Sequence, residues 1–503
     1  MTLISTDPRT GQTNETSIEV TTDDEVAELA ARAADAHRAL AAHGREWRAG
    51  LLEALADALE ARRAELVSTA DSETGLGEVR LNGELTRSAF QFRLFAEAVR
   101  DGGYLEATID HAGDTPMGPG PDIRRMLIPI GPVAVFGSSN FPFAFSVVGG
   151  DTASALAAGC PVVLKAHGSH VLTSQVSFAT LSDAARQYGA PDGTLGIVYG
   201  TNAGATLVAD PRIKAVGFTG SLSGGQALLD IIEGRDEPIP FYGELSSLNP
   251  LVITDGAIAA RGDAIAQGLF GSFTLGAGQF CTKPGFAFIP RGAAGESLVE
   301  AMAEKVREAQ PGVLLNSRIS GSFDEIRQRL IDRGHAQVVA VGSADDTDGF
   351  AVPPSLLAVD AKDVNADVTE EAFGPLMVVA YYDDPAEIAE ALTHVPQSLT
   401  ATIHSEDDEI ELTRTLVDTV SGHAGRLVFN GYPTGVRVSW GQHHGGPWPA
   451  TNSQHTSVGV TAIRRFLRPF AWQDAPVAVL PEELREEYTA VPRRVDGELH
   501  LSS

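Results

Sequence analysis

The chain has 503 residues, 43% of them hydrophobic and 20% charged, and 66 acidic against 37 basic side chains give a formal charge of -29. That length suits roughly two to four domains with sizeable cores, and so acidic a surface argues against nucleic acid or a membrane as partner. Two cysteines, Cys160 and Cys281, cannot build a disulfide framework; with no signal-like start and no apolar run near ~18 residues, a cytoplasmic protein is expected.

In chain order, residues 23–66 carry Ala, Leu, Glu and Arg at helical spacing and predict two amphipathic helices with a break near His43-Gly44. A further helix is expected over 85–99, stopped by Gly102-Gly103, and the Gly- and Pro-rich 108–122 predicts an excursion between domains. Short apolar runs at 126–135, 161–165, 195–199, 215–218 and 251–254 predict strands, with helices over 146–158 and 173–188 between the earlier ones. That rhythm implies a parallel sheet covered on both faces, with ligands bound beyond the carboxyl ends of its strands. A second mixed segment, 257–460, predicts helices over 259–273 and 298–309 and strands at 286–289, 376–381, 399–404 and 426–429. The proline-bearing tail from residue 464 predicts an extended peripheral arm.

Several residues are candidates for chemistry. Cys281 follows the glycine-rich Gly276-Ala277-Gly278-Gln279-Phe280, an approach that can expose a thiolate at a tight turn; the alternative is a small buried hydrophobe. Cys160, between a helix end and an apolar strand, is expected to be structural. Glu244, in Phe241-Tyr242-Gly243-Glu244-Leu245, has apolar neighbours that would raise its pKa and suit it to general base work; a water-facing carboxylate at a strand end is the alternative. Asn140 lies where a strand gives way to a helix, where its amide could donate to an oxyanion or cap the helix. Gly217-Phe218-Thr219-Gly220-Ser221, followed by Gly224-Gly225 and a helix, predicts an anion site for a cofactor pyrophosphate. Lys165, one of five lysines, ends a buried strand near the same edge. The common dinucleotide fingerprint, the phosphate loop and the nucleophile elbow are all absent. His443-His444 lacks the spacing of a metal-binding helix face, so no metal is expected, and the acidic run from Glu406 to Glu409 predicts a solvated face or a helix start.

The order of these elements carries more than any one of them. Asn140 in S-N-F-P, Lys165 in V-V-L-K, F-T-G-S at 218–221, Glu244 in G-E-L, Cys281 in G-Q-F-C and Glu370-Glu371-Ala372-Phe373-Gly374-Pro375 resemble, over nearly the whole chain, the NAD(P)-dependent aldehyde dehydrogenase superfamily. Within it, G-S-S-N-F-P-F-A-F-S at 137–146, G-G-D-T-A-S-A-L-A-A-G at 149–159, K-A-H at 165–167, H-G-G-P-W-P-A-T at 444–451 and T-S-V-G at 456–459 resemble the α-ketoglutaric semialdehyde (2,5-dioxovalerate) dehydrogenases. NADP-dependent fatty-aldehyde dehydrogenases share much of that pattern.

The resemblance implies an α/β fold of two Rossmann-type lobes plus a small β bridging element. Residues 1–105 and 127–250 would bind cofactor, 251–463 would form the catalytic domain, and 106–126 with 464–503 would bridge subunits into a homodimer or homotetramer. It implies oxidation of α-ketoglutaric semialdehyde to 2-oxoglutarate, with Cys281 as nucleophile, Asn140 as oxyanion donor and Glu244 as base for thioester hydrolysis. Oxidation of aliphatic aldehydes by the same chemistry, or a catalytically silent relative that only binds, are the alternatives. For the cofactor it implies contacts from Lys165, His167, Gly168, Gly220, Ser221, Glu371 and Phe373, and for the substrate a wall of Phe141 and Phe145. An acidic residue is frequent in the family where Gly168 stands, so NADP is expected to be preferred, with NAD also accepted. Ser246-Ser247 replace a usual glycine pair after Glu244, which predicts a change in loop mobility there, and Ser139 replaces the common aromatic before the asparagine. A carboxylate-bearing substrate needs a cation at its far end, and Arg437 is the late-segment candidate.

Overall fold

The computed structural model describes residues 2–343 and 348–502. The first apolar runs become strands β1 (Val133–Phe136), β2 (Val162–Lys165), β3 (Leu195–Val198), β4 (Ala215–Thr219) and β5 (Phe241–Glu244), in the spatial order β5-β4-β1-β2-β3. Every pairing is parallel. Alternation of side chains divides β1 between two cores. Val133 and Val135 pack with α2 (Arg45–Ala61), α4 (Glu78–Asp101), α5 (Gly150–Ala158) and α6 (Val171–Tyr188). Ala134 and Phe136 pack on the opposite face with α1 (Asp23–Leu40), α7 (Thr201–Ala209) and α8 (Leu222–Glu233).

The expected helix pair is three helices: α1 ends at Leu40, and α2 gives way at Arg62 to α3 (Arg63–Thr74). Gly102 does stop α4, in the left-handed region at φ 73. The apolar run 126–135 is not one strand. Pro129, Gly131 (φ 130) and Pro132 interrupt it, so residues 123–129 join a different sheet from 133–136. The helix expected from residue 146 begins at Gly150, because residues 146–149 close a turn in which Gly149 N–H donates to the Ser146 carbonyl at 2.9 Å.

A second sheet contains β6 (Pro250–Ile253), β7 (Phe286–Pro290), β8 (Gln337–Val341), β9 (Ser355–Asp360), β10 (Leu376–Tyr382), β11 (Ser398–His404) and β12 (Ala424–Phe429). Its order is β8-β9-β10-β7-β6-β11-β12, parallel except between β8 and β9. The run 251–254 thus belongs to this sheet rather than the first. Long α9 (Asp255–Thr274) packs on one face with β6, β7 and β10.

The late arm is not merely peripheral. Leu467–Gln473 pairs antiparallel with Ile123–Pro129, which continues through Ala107–Asp110 to Arg493–Val495 and Glu498–His500 in a third sheet. Among the described residues no helix is long and apolar enough to cross a membrane.

Candidate active site

Four candidates come from the carboxyl edge of the first sheet. Asn140 lies in the turn after β1, Lys165 ends β2, the Gly220–Ser221 turn follows β4, and Glu244 ends β5. Cys281 comes from the opposite lobe, on the loop that leaves α9 and enters β7. That loop reverses tightly, with Gly276, Ala277 and Gly278 all left-handed at φ 57, 57 and 69. A β-carbon at Gly278 would stand 2.3 Å from the Gly374 carbonyl carbon and 2.5 Å from Pro375 N, so the backbone contact itself requires glycine there.

The two lobes bring their groups together. Asn140 is 7% exposed, and its Nδ2 donates to the Gln279 carbonyl at 2.9 Å, two residues before Cys281. An Arg80 Nη2 donates to the Asn140 carbonyl at 2.6 Å from behind. Glu244 is 2% exposed; Ser457 Oγ donates to its Oε2 at 2.6 Å, and His444 Nε2 stands 2.9 Å from its Oε1. The same Nε2 is 3.6 Å from Cys281 Sγ. One sulfur, one imidazole nitrogen and one carboxylate therefore lie within 4.8 Å of one another.

The electrostatics of Glu244 differ from the sequence expectation. Burial does push its carboxyl up, but His444 and the hydroxyl of Ser457 outweigh burial and hold it at about 2. Burial pushes the Cys281 thiol well above its ordinary value, the Glu244 carboxylate adds to that, and the Arg87 cation opposes it. Such a trio can hold and relay a proton between sulfur and carboxylate.

The model of the aldehyde dehydrogenase family matches residues 2–451. The chain belongs to the aldehyde dehydrogenase family. It is 45% identical over 480 residues to alpha-ketoglutaric semialdehyde dehydrogenase 2 of Azospirillum brasilense, covering 93% of this chain and 90% of that protein. It is 41% identical over 447 residues to alpha-ketoglutaric semialdehyde dehydrogenase of Acinetobacter baylyi, covering 88% and 85%. A 1-pyrroline-5-carboxylate dehydrogenase from Thermus with bound NAD superposes with a TM-score of 0.79 at 23% identity, over 94% of this chain and 90% of that one, and shows the shared fold. The chain is thus an NAD(P)-dependent oxidoreductase of that family.

The other residues named from the sequence of this aldehyde dehydrogenase fall into three groups. At the first-sheet edge, the Lys165 ammonium has no hydrogen bond or ion pair among the described residues, and burial lowers its pKa. Next to it His167 Nδ1 accepts from Ser169 N–H at 3.1 Å; burial, with the nearby His170, Lys165 and Arg318, holds its pKa well below the ordinary value. Gly168 is exposed, and a β-carbon there would meet nothing within 4 Å. Gly220 N–H donates to the Glu244 carbonyl at 3.0 Å, and Ser221 caps α8 by accepting from Gly224 N–H at 3.2 Å. An open helix start, an unpartnered lysine and free space at Gly168 fit a phosphate-bearing dinucleotide.

Opposite this edge, Glu371 accepts from Ser246 Oγ and from Ser247 N–H, the latter at 3.2 Å, and burial raises its pKa. Ser247 Oγ in turn donates to Asn249 Oδ1 at 2.7 Å and accepts from Leu399 N–H at 2.9 Å. The two serines that replace the family's glycines therefore anchor the chain after Glu244. Phe373 is half-buried two residues beyond Glu371.

In the third group, the rings of Phe141 and Phe145 meet edge-on at 5.3 Å between centroids, and Phe141 meets Phe280 at 5.1 Å. Arg437 is exposed. Cys160 is wholly buried, its Sγ donating to the Phe466 carbonyl at 3.3 Å, and burial pushes its thiol up to about 11.

Two functional groups escaped the sequence. The spacing of His443-His444 argues only against a metal site, whereas a loop from the second lobe sets His444 against Cys281 and Glu244; no local signal marks it beyond its place at the head of the 444–451 motif. Lys283, 1% exposed, donates to the carbonyls of Ala372, Gly374 and Leu376 at 2.7, 3.1 and 3.2 Å, tying the segment that bears Glu371 to the segment that bears Cys281. Its rarity in an arginine-rich chain was the available signal.

Proposed function

We propose that this aldehyde dehydrogenase oxidises α-ketoglutaric semialdehyde to 2-oxoglutarate, with NADP as preferred acceptor. The reading is carried by one observation, the convergence of Cys281 Sγ, His444 Nε2 and the Glu244 carboxylate within 4.8 Å beside the Asn140 amide. Relatives that act on this semialdehyde, at 45% and 41% identity, give it its substrate.

In this reading Cys281 Sγ attacks the aldehyde carbon, and its proton passes to His444 Nε2. The developing oxyanion takes hydrogen bonds from the Asn140 side chain and the Cys281 backbone N–H. A dinucleotide held by the cofactor-site residues would supply the hydride acceptor for oxidation of the Cys281 adduct to a thioester. His444 gives its proton up to solvent, and the Glu244–His444 pair then draws a proton from water whose oxygen attacks the thioester carbon; the C–S bond breaks, the acid leaves and the Cys281 thiolate takes that proton back. A carboxyl held at about 2 is a weak base alone, so the pair acts as the base rather than Glu244 by itself. Lys165, His167, Gly168, Gly220 and Ser221 would hold the adenosine and pyrophosphate end, and Glu371 and Phe373 the nicotinamide ribose. Gly168 presents no carboxylate to a 2′-phosphate, which supports NADP over NAD. The third sheet, whose outer strand Leu467–Gln473 carries exposed Phe470, is the surface for pairing into a dimer or tetramer.

The test is the initial rate of NADP reduction with α-ketoglutaric semialdehyde beside hexanal and a longer alkanal. A higher kcat/KM for the semialdehyde is expected. An advantage for the alkanals would move the function to aliphatic aldehydes, a reading favoured by the Phe141–Phe145–Phe280 wall.

A further inference from the structure

Helix α4 lines the aromatic wall with two arginines whose surroundings differ. Arg80 lies between the rings of Phe141 and Phe280, with its guanidinium carbon 5.1 and 4.8 Å from their centroids, and one of its amino groups is already bonded to the Asn140 carbonyl. Arg87, two turns further along, stands over Phe145 at 5.2 Å. Its Nε and Nη2 are buried, and neither has a hydrogen-bond partner among the described residues. A ring face attracts the cation but accepts none of its N–H bonds in good geometry. Leaving such donors dry is costly, so they mark a place where an acceptor is missing.

The neighbouring groups do not supply that acceptor. Glu84 lies between the two arginines on α4; its Oε1 accepts the backbone N–H groups of Phe143 and Ala144 at 2.8 and 2.9 Å, and its Oε2 is buried without a hydrogen-bond partner, so its charge favours the Arg87 cation but makes no ion pair with it. Arg426, the other cation facing Cys281, has its two amino groups bonded to the carbonyls of Gly435 and Pro433 at 3.1 and 2.9 Å. Arg80 and Arg426 also hold unpartnered nitrogens, but each gives at least one amino group to a backbone carbonyl; Arg87 alone of the three makes no side-chain hydrogen bond among the described residues. Phe145, beneath it, lies 6.2 Å from the His444 ring, centroid to centroid, which places Arg87 one aromatic ring away from the catalytic trio. Its charge is felt by both Cys281 and Glu244.

We propose that Arg87 is the specificity-determining residue for this aldehyde dehydrogenase, binding the distal carboxylate of a short aldehyde acid through its free Nε and Nη2 while the aldehyde carbon rests at Cys281. This rests on the reading that the substrate carries a carboxylate. A guanidinium fork matches a carboxylate in a way that an ammonium does not.

The experiment compares wild type, Arg87→Ala, Arg87→Gln and Arg87→Lys on α-ketoglutaric semialdehyde, succinic semialdehyde and pentanal, with 2-oxoglutarate as a competitive inhibitor and thermal unfolding as a folding control. Removing the cation should lower kcat/KM for the aldehyde acids by roughly 30-fold or more, mainly through KM, and weaken 2-oxoglutarate inhibition in step. Pentanal, which shares only the effect of the Arg87 charge on the Cys281 thiol, should lose far less than the acids, and Lys, which keeps that charge, should recover part of the loss. Equal losses on pentanal and the acids, or unchanged KM for the acids, overturns the role of Arg87 even where wild type favours α-ketoglutaric semialdehyde. Wild type that favours succinic semialdehyde and loses it in Arg87→Ala overturns the substrate reading and upholds the anchor. Wild type with no preference for acids over pentanal overturns both.

Discussion

His444 Nε2 stands 2.9 Å from Glu244 Oε1 with both side chains almost wholly buried, and the same nitrogen is 3.6 Å from Cys281 Sγ. A single ring nitrogen facing both a carboxylate and a thiol cannot donate to the first and accept from the second at once. Proton position at Nε2 therefore separates two states of the site, one that holds the carboxylate ionised and one that can take the thiol proton. The usual division into one nucleophile and one independent base does not describe this geometry.

Replacing His444 tests that coupling. His444→Gln should lower kcat by roughly 10²-fold, the size of a lost proton acceptor, while KM for aldehyde changes little. Because His444 holds the Glu244 carboxyl down, the replacement should also raise the carboxyl pKa, moving the acidic limb of the kcat profile to higher pH. A variant with wild-type kcat and an unmoved profile would leave His444 as packing only.

The turn that carries Cys281 depends on Gly278. Gly278→Ala places a side chain in the left-handed region and against the Gly374–Pro375 backbone at 2.3–2.5 Å. The conformational strain alone is worth roughly 1–3 kcal/mol, and the clash displaces the loop that positions the sulfur. The expected result is a lower urea midpoint together with slowed thiol alkylation and loss of dehydrogenase activity. Wild-type stability and alkylation would mean that the two segments separate freely.

Much of this was legible from sequence for a physical reason. Parallel strands buried on both faces are written as short apolar runs, so β1 to β4 and the catalytic motifs at their ends could be placed from local residues. The split at Pro129–Gly131–Pro132 was written there too, but a continuous apolar run masked it. His444, Arg87 and Phe280 owe their roles to contacts between segments distant in sequence, which periodicity does not encode. The shift of Glu244 was misjudged for the same reason. Its apolar sequence neighbours do raise the pKa through burial, but the groups that reverse the shift, His444 and Ser457, lie 200 and 213 positions away.

Cofactor choice offers a test that leaves the fold alone. Gly168 is exposed, with nothing within 4 Å of an added β-carbon, so Gly168→Glu should keep the melting temperature within a few degrees. A carboxylate beside Lys165 and His167 would repel a 2′-phosphate and accept ribose hydroxyls. The ratio of kcat/KM for NADP to that for NAD should fall by roughly tenfold or more. An unchanged ratio would show that position 168 does not meet the 2′ group.

The thiol gives the sharpest pH signature. Burial and the Glu244 carboxylate raise the Cys281 pKa well above its ordinary value of 9.0, so in the free enzyme the thiolate is scarce at neutral pH. Iodoacetamide, which reacts with thiolate, should therefore label Cys281 at a rate that climbs about tenfold per pH unit and is still climbing at pH 9, where an ordinary thiol begins to level. Glu244→Gln removes the anion that opposes ionisation, so its curve should bend at lower pH and lie above wild type at pH 7–8. Cys160, buried with its thiol at about 11, should stay unlabelled throughout, as peptide mapping would establish. A wild-type curve that levels below pH 8 would mean that the thiolate is stabilised in the resting enzyme, and His444 would then be its cationic partner rather than its proton acceptor.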